Sequence, residues 1–216
     1  MDDLIERAAH FARERMHGDG SGHDWWHVER VRRTALRLAE QEHADAIVVE
    51  LAALLHDVWD HKLYDGDASV APREVHRWLT EAGAAPALAD HVAEIVGDLS
   101  FKGADVPTPM RTREGVVVQD ADRLDAIGAI GIGRAFAFGG SRGRAMHDPD
   151  APAVRHATFT AYAAAAGTTV NHFPEKLLLL RDRMNTAAGR RLAESRHRFM
   201  EEFLQRFMDE WEGTDG

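Results

Sequence analysis

A histidine followed by an aspartate closes the most apolar helical stretch of this chain, Val49-Glu50-Leu51-Ala52-Ala53-Leu54-Leu55-His56-Asp57-Val58-Trp59-Asp60. Imidazole nitrogens and carboxylate oxygens are divalent-metal donors and proton carriers. A buried aspartate needs a compensating cation or hydrogen bonds. Ile47, Val48, Leu51, Leu54 and Leu55 repeat at helical spacing, so the sequence predicts a buried helix that delivers His56, Asp57 and Asp60 at its end. The bland alternative is a polar helix end satisfied by its neighbours.

The same dipeptide occurs at His23-Asp24, after the glycine-rich Gly18-Asp19-Gly20-Ser21-Gly22, and at His147-Asp148, before Pro149. Both read as loop or helix-entry residues. Further donors come from two other places. His27 falls in the first turn of a helix introduced by Asp24; it is a capping or surface residue unless it faces the His56 helix end. Asp120, Asp122 and Asp125 interrupt the otherwise apolar stretch Gly115–Gly131. At about 100° per residue, Asp122 and Asp125 share a face while Asp120 points away. These aspartates either reach a ligand or cap helices and pair with Arg123 and Arg134.

The chain has 13 histidines and no cysteine. That excludes disulfides, thiolate nucleophiles, iron–sulfur clusters and cysteine zinc sites. A nitrogen and oxygen donor set suits Mn²⁺, Fe²⁺, Mg²⁺, Co²⁺ or Ni²⁺ as well as Zn²⁺.

The elements that must position these groups all read as helices. Helical spacing predicts a first amphipathic helix over residues 3–16 and a second from Asp24 with Val28, Val31, Ala35 and Leu38 inward. A third runs over 44–58. The next opens with Pro72 at its first position and runs to 82, followed by 86–99. A proline-bearing loop over 100–109 then leads into 115–131. Gly139–Arg144 is a basic loop, either solvated or an anion contact. Beyond it lie an alanine-rich helix over 151–166 and a last helix over 187–211 with Leu192, Phe199, Phe203, Leu204 and Phe207 inward. Strand-type alternation occurs only briefly at Val116–Val118, so the expected fold is an all-α, single-domain helical bundle over 1–216.

The order H…HD…D, formed by His27, His56-Asp57 and Asp122, resembles the HD-domain superfamily of metal-dependent phosphohydrolases. The segments HDWWHVERV, LAALLHDVWDHK, QDADRLDAIGAIGIGR and HFPEKLLLLRDRMNT are similar to a bacterial subgroup typified by YedJ and YpgQ. The resemblance implies core motifs over about 23–125 and C-terminal helices over about 151–212. It implies one divalent metal, manganese foremost, held by His27, His56, Asp57 and Asp122, with Asp120 the fallback for the last position. Asp60 would manage protons, although the residue at that place is often Glu in the subgroup. Lys62, Arg123, His172 and Lys176 would hold phosphate, with His61 and His91 behind them. The implied reaction is hydrolysis of a nucleotide, a nucleoside triphosphate yielding monophosphate and pyrophosphate. Another phosphoester such as guanosine tetraphosphate, or a non-catalytic metal- or nucleotide-sensing module, stand as alternatives. A di-iron oxygenase would need further ligands that the spacing does not supply.

A formal net charge of -10 makes the surface a poor match for a nucleic-acid polymer or an anionic membrane. The acidic start and the lack of a long apolar run predict a cytoplasmic protein. Phe and Trp side chains on the last helix would serve a homodimer or the core equally.

Overall fold

The computed structural model describes residues 1–16, 24–59, 67, 69–99, 108–154 and 167–216, and among them every regular element is helical. The fold is all-α, as the periodicity requires. The described residues form two compact units, one up to residue 122 and one from residue 123 onward.

The first unit is built around a helix that is apolar on every side but the one that carries Glu50. It contains α1 (Asp2–Arg15), α2 (Trp25–Glu42), α3 (Ala46–Leu55), α4 (Val70–Glu81), α5 (Pro86–Asp98) and all but the last turn of α6 (Arg113–Asp125). In α3, Val48, Val49 and Leu51 through Leu55 are all buried, against α1, α2 and α5. A helix this apolar belongs in a core. Burying each of its leucines contributes about 1.5–3 kcal/mol of transfer free energy.

This helix is shorter than the predicted span of 44–58. Asp45 takes the N-cap in an extended conformation, its Oδ1 accepting from the backbone N–H groups of Ile47 at 2.9 Å and Val48 at 3.3 Å. At the other end His56 is the C-cap, and residues 56–59 form a turn. Trp59 is buried in that turn, and the Phe11 ring packs on it at 5.3 Å and on Trp78 at 5.2 Å.

Two polar ties set how the neighbouring helices meet α3. The Arg32 guanidinium of α2 donates to Glu50 Oε1 from Nε at 2.8 Å and to Glu29 Oε2 from Nη1 at 3.2 Å. At the start of α6, Glu114 Oε1 accepts from the backbone N–H of Asp45 at 3.0 Å, and Arg113 donates to the His43 carbonyl at 3.1 Å. From that common origin Asp122 lies about 12 Å along α6, and His56 about 16 Å along the α3 segment, at 1.5 Å per residue. The two helices therefore deliver these side chains to the same region.

Other boundaries differ from the sequence expectation. Ser69 precedes α4, so Pro72 sits third in the helix rather than first. Pro86 does open α5 at its first position. The stretch 115–131 is two helices, because Gly128 adopts φ +76° and starts a new one.

The second unit comprises α7 (Gly128–Ser141), α8 (His172–Glu175), a 3₁₀ helix (Leu177–Arg183) and α9 (Ala187–Glu212). α9 packs on α7 and on the 3₁₀ helix. Phe136 lies 6.4 Å from Phe173, 6.0 Å from Phe203 and 6.0 Å from Phe207 between ring centroids, an aromatic core for this unit. The buried face of α9 is Ala188, Gly189, Ala193, His197 and Met200, so the expected inward set needs correction: Phe199 is exposed. Residues 151–154 are not helical, and the rest of the alanine-rich helix expected over 151–166 lies outside the described residues. Among the described residues, no helix is long and apolar enough to cross a membrane.

Candidate metal centre

His27, His56, Asp57 and Asp122 come together in the first unit. Asp24 caps α2, its Oδ1 accepting from the His27 N–H at 3.0 Å, and this places the His27 side chain in the first turn, buried. At the end of α3, where backbone carbonyls lack helical partners, the His56 Nδ1–H donates to the Ala53 carbonyl at 2.8 Å. A carbonyl only accepts, so Nδ1 carries the proton and Nε2 presents its lone pair.

That nitrogen faces other possible metal donors. His56 Nε2 lies 3.2 Å from His27 Nε2, 3.7 Å from Asp57 Oδ1 and 3.9 Å from Asp122 Oδ1. His27 Nε2 lies 3.3 Å from Asp57 Oδ2 and 3.5 Å from Asp122 Oδ1. One donor atom each from His27, His56 and Asp57 fits within a 4.8 Å span. Metal bonds of about 2.1 Å put adjacent donors roughly 3.0 Å apart in an octahedron and 3.4 Å apart in a tetrahedron. The observed separations suit that spacing. Two neutral imidazoles and two carboxylates carry the charge that one divalent cation neutralises.

The imidazole side chains are 1% and 3% exposed, whereas Asp57 is 21% and Asp122 35% exposed. Nitrogen donors thus occupy the buried end and carboxylates the accessible one. Asp120 is fully buried, and Asp125 accepts from Arg134 at 2.9 Å, the structural pairing weighed for it in the sequence. His91, the weaker candidate, has Nε2 3.0 Å from Thr112 Oγ1. Asp60, His61 and Lys62 lie outside the described residues.

The other basic candidates belong to the second unit. Arg123 donates to the Arg183 carbonyl. His172 and Lys176 stand one helical turn apart, with the Lys176 N–H donating to the His172 carbonyl at 3.0 Å. Burial, then the nearby Lys176 ammonium and Arg144 guanidinium, push the His172 imidazole down to about 3 from an ordinary 6.5. Arg144 entered the sequence reading only within the basic stretch Gly139–Arg144, solvated or in anion contact, and not as a neighbour of His172. Its signal was the basic glycine loop, and chain separation hid its neighbours.

The His172 shift gives a stability prediction. Between about pH 6.5 and 3 the unfolded chain takes up a proton that the folded chain does not, so stability falls as pH falls through that window. One proton corresponds to about 1.4 kcal/mol per pH unit. Denaturant titrations at pH 7 and pH 5 are expected to show the wild type losing up to about 2 kcal/mol more than His172→Gln. Equal losses would show that this imidazole does not resist protonation.

Residues 25–127, which contain all four clustered side chains, match the HD domain family. The chain is 42% identical over 199 residues to the uncharacterized protein YpgQ of Bacillus subtilis (strain 168), covering 91% of this chain and 88% of YpgQ. The chain belongs to the HD domain family. It is also similar to YpgQ in structure: the crystal structure of YpgQ in complex with ADP superposes with TM-score 0.76 at 37% identity, over 98% of this chain and 100% of that one. A crystal structure of an HD-superfamily hydrolase from Bacillus thuringiensis matches at 41% identity and TM-score 0.74, over 98% of both chains. A structure from Lactobacillus plantarum reaches TM-score 0.86 at 35% identity over 99% of each. The chain is a hydrolase of the HD superfamily, with a His27, His56 and Asp57 group able to hold a divalent metal.

Proposed function

We propose that the protein is a metal-dependent nucleotide phosphohydrolase, converting a nucleoside triphosphate to monophosphate and pyrophosphate. The observation that carries this reading is the convergence of the His27 imidazole nitrogen and the carboxylates of Asp57 and Asp122 within 3.2–3.9 Å of His56 Nε2. The complex of YpgQ with ADP supports a nucleotide as the substrate class.

In this reading His27, His56, Asp57 and Asp122 hold one divalent cation, manganese foremost. When bound, that cation polarises a phosphoryl group and lowers the pKa of water. The imidazoles anchor the buried end through a fixed tautomer, the Ala53 carbonyl orienting His56. Asp57 and Asp122 balance the charge where solvent and substrate enter. Asp60 manages the proton, Lys62, Arg123 and Lys176 match the phosphate charge, and the neutral His172 imidazole offers it a hydrogen bond. The protein works in the cytoplasm on a small phosphorylated molecule.

Incubation of the full chain with Mn²⁺ and a panel of nucleoside triphosphates, with phosphate and pyrophosphate resolved among the products, tests the reading. Pyrophosphate formation is expected. Orthophosphate instead would move the cut to a terminal phosphate, and no turnover of any triphosphate would remove nucleotides as substrates.

A further inference from the structure

Trp26 holds its indole in solvent one residue before a buried donor of the metal centre. The Asp24 cap fixes this turn, its Oδ1 accepting from the His27 N–H at 3.0 Å. Successive residues of a helix step about 100° around its axis. Val28 is fully buried, His27 is 1% exposed with its Nε2 among the clustered donors, and Trp26 is 58% exposed. Over three residues the first turn of α2 therefore passes from the core, through the wall of the metal centre, to solvent. That order places the Trp26 ring at the rim of the centre, on whose accessible side Asp57 and Asp122 stand.

Burying an indole removes about 150–250 Å² from water, and other tryptophans of this chain find an aromatic partner. Phe11 packs on Trp59 at 5.3 Å and on Trp78 at 5.2 Å, and Phe207 stacks on Trp211 at 5.9 Å. Among the described residues Trp26 has no ring against its faces and no acceptor for its indole N–H. A single exposed apolar side chain is common on a protein surface. One that adjoins a metal donor, on a turn held by a cap, is placed to touch whatever binds there.

We propose that Trp26 is the base-stacking residue of the substrate site, its indole face packing on the nucleobase of a nucleotide whose phosphates lie at the metal centre. Stacking of this kind contributes roughly 5- to 150-fold in affinity and accepts every base, because every base has a π-face. The contact reads ring area, so purine nucleotides gain more from it than pyrimidine nucleotides. Trp26 takes no part in bond cleavage. The inference rests on the nucleotide reading and adds to it the residue that holds the base.

Calorimetric titration of the full chain in Mn²⁺, with ADP and separately with inorganic pyrophosphate, tests it. Trp26→Ala is expected to weaken ADP binding about tenfold and Trp26→Tyr to restore most of the loss. Pyrophosphate has no base and should bind the wild type and both variants equally. In triphosphate hydrolysis Trp26→Ala should raise KM about tenfold with kcat near that of the wild type. Equal weakening of pyrophosphate would mean that the α2 turn has shifted rather than that a stack was lost, and would overturn the inference. Triphosphate hydrolysis by a Trp26→Ala variant that keeps wild-type ADP affinity would overturn it alone. Failure of the wild type to bind ADP would overturn it together with the nucleotide reading.

Discussion

Replacing His56 and Asp57 together by alanine is expected to abolish divalent-metal binding and to lower kcat/KM by at least about 10³, roughly 4 kcal/mol of transition-state stabilisation. The double change removes one imidazole and one carboxylate from a cluster whose nitrogens stand 3.2 Å apart. What remains, His27 and Asp122, is a weak bidentate site. The loss need not reflect unfolding, because Asp57 is partly exposed and His56 caps a helix rather than filling its centre. Its structural cost is the unpaired Ala53 carbonyl, about 1 kcal/mol. Thermal unfolding with and without Mn²⁺ separates the two effects. The wild-type midpoint should rise with metal, by an amount equivalent to about 2.7 kcal/mol at a hundred times the Kd, while the variant stays put. A variant that melts as the wild type does and still gains stability from Mn²⁺ would remove these residues from the metal site.

Gly131→Ala is expected to destabilise the second unit by about 2–4 kcal/mol. A Cβ at this position would lie 2.2 Å from the Ala126 carbonyl oxygen and 2.5 Å from its carbon. Those atoms are backbone, so no rotamer change relieves the overlap. The same change at Gly133, also in α7, meets nothing within 4 Å. There alanine should stabilise through helix propensity, by up to about 1 kcal/mol. Urea unfolding of the two variants gives the comparison directly. Equal stabilities would mean that the turn from α6 into α7 yields freely to accommodate a methyl group.

The helices that carry the candidate site are legible because their signals are local. Asp24 and Asp45 are short acidic residues ahead of apolar periodic runs, and both cap the helices that follow. The boundaries shifted where a cap competes with propensity. Asp45 starts α3 later than the apolar pattern suggests, and the Nδ1–H of His56 satisfies a carbonyl at its end. The face of α9 was harder to read. Leu, Phe and small residues alternate around that helix, and its neighbours select Ala193, His197 and Met200 for burial while Phe199 faces out.

By itself the sequence determined the all-α class, the nitrogen and oxygen donor chemistry, and the placement of His27 and His56 at helix ends. Composition, capping and periodicity act over a few residues and need no partner. Tertiary structure decided which of the three α6 aspartates meets the imidazoles. Helical spacing gives the angles between Asp120, Asp122 and Asp125 but not the rotation of the helix as a whole. That rotation is set by contacts far apart in sequence, Glu114 on the Asp45 N–H and Arg113 on the His43 carbonyl, which bring Asp122 to 3.5 Å from His27. The same holds for the protonated nitrogen of His56, chosen by a carbonyl, and for Arg144 beside His172, joined by backbone pairing across a long stretch of chain. Such placements depend on packing between elements, a free energy that local sequence pattern does not encode.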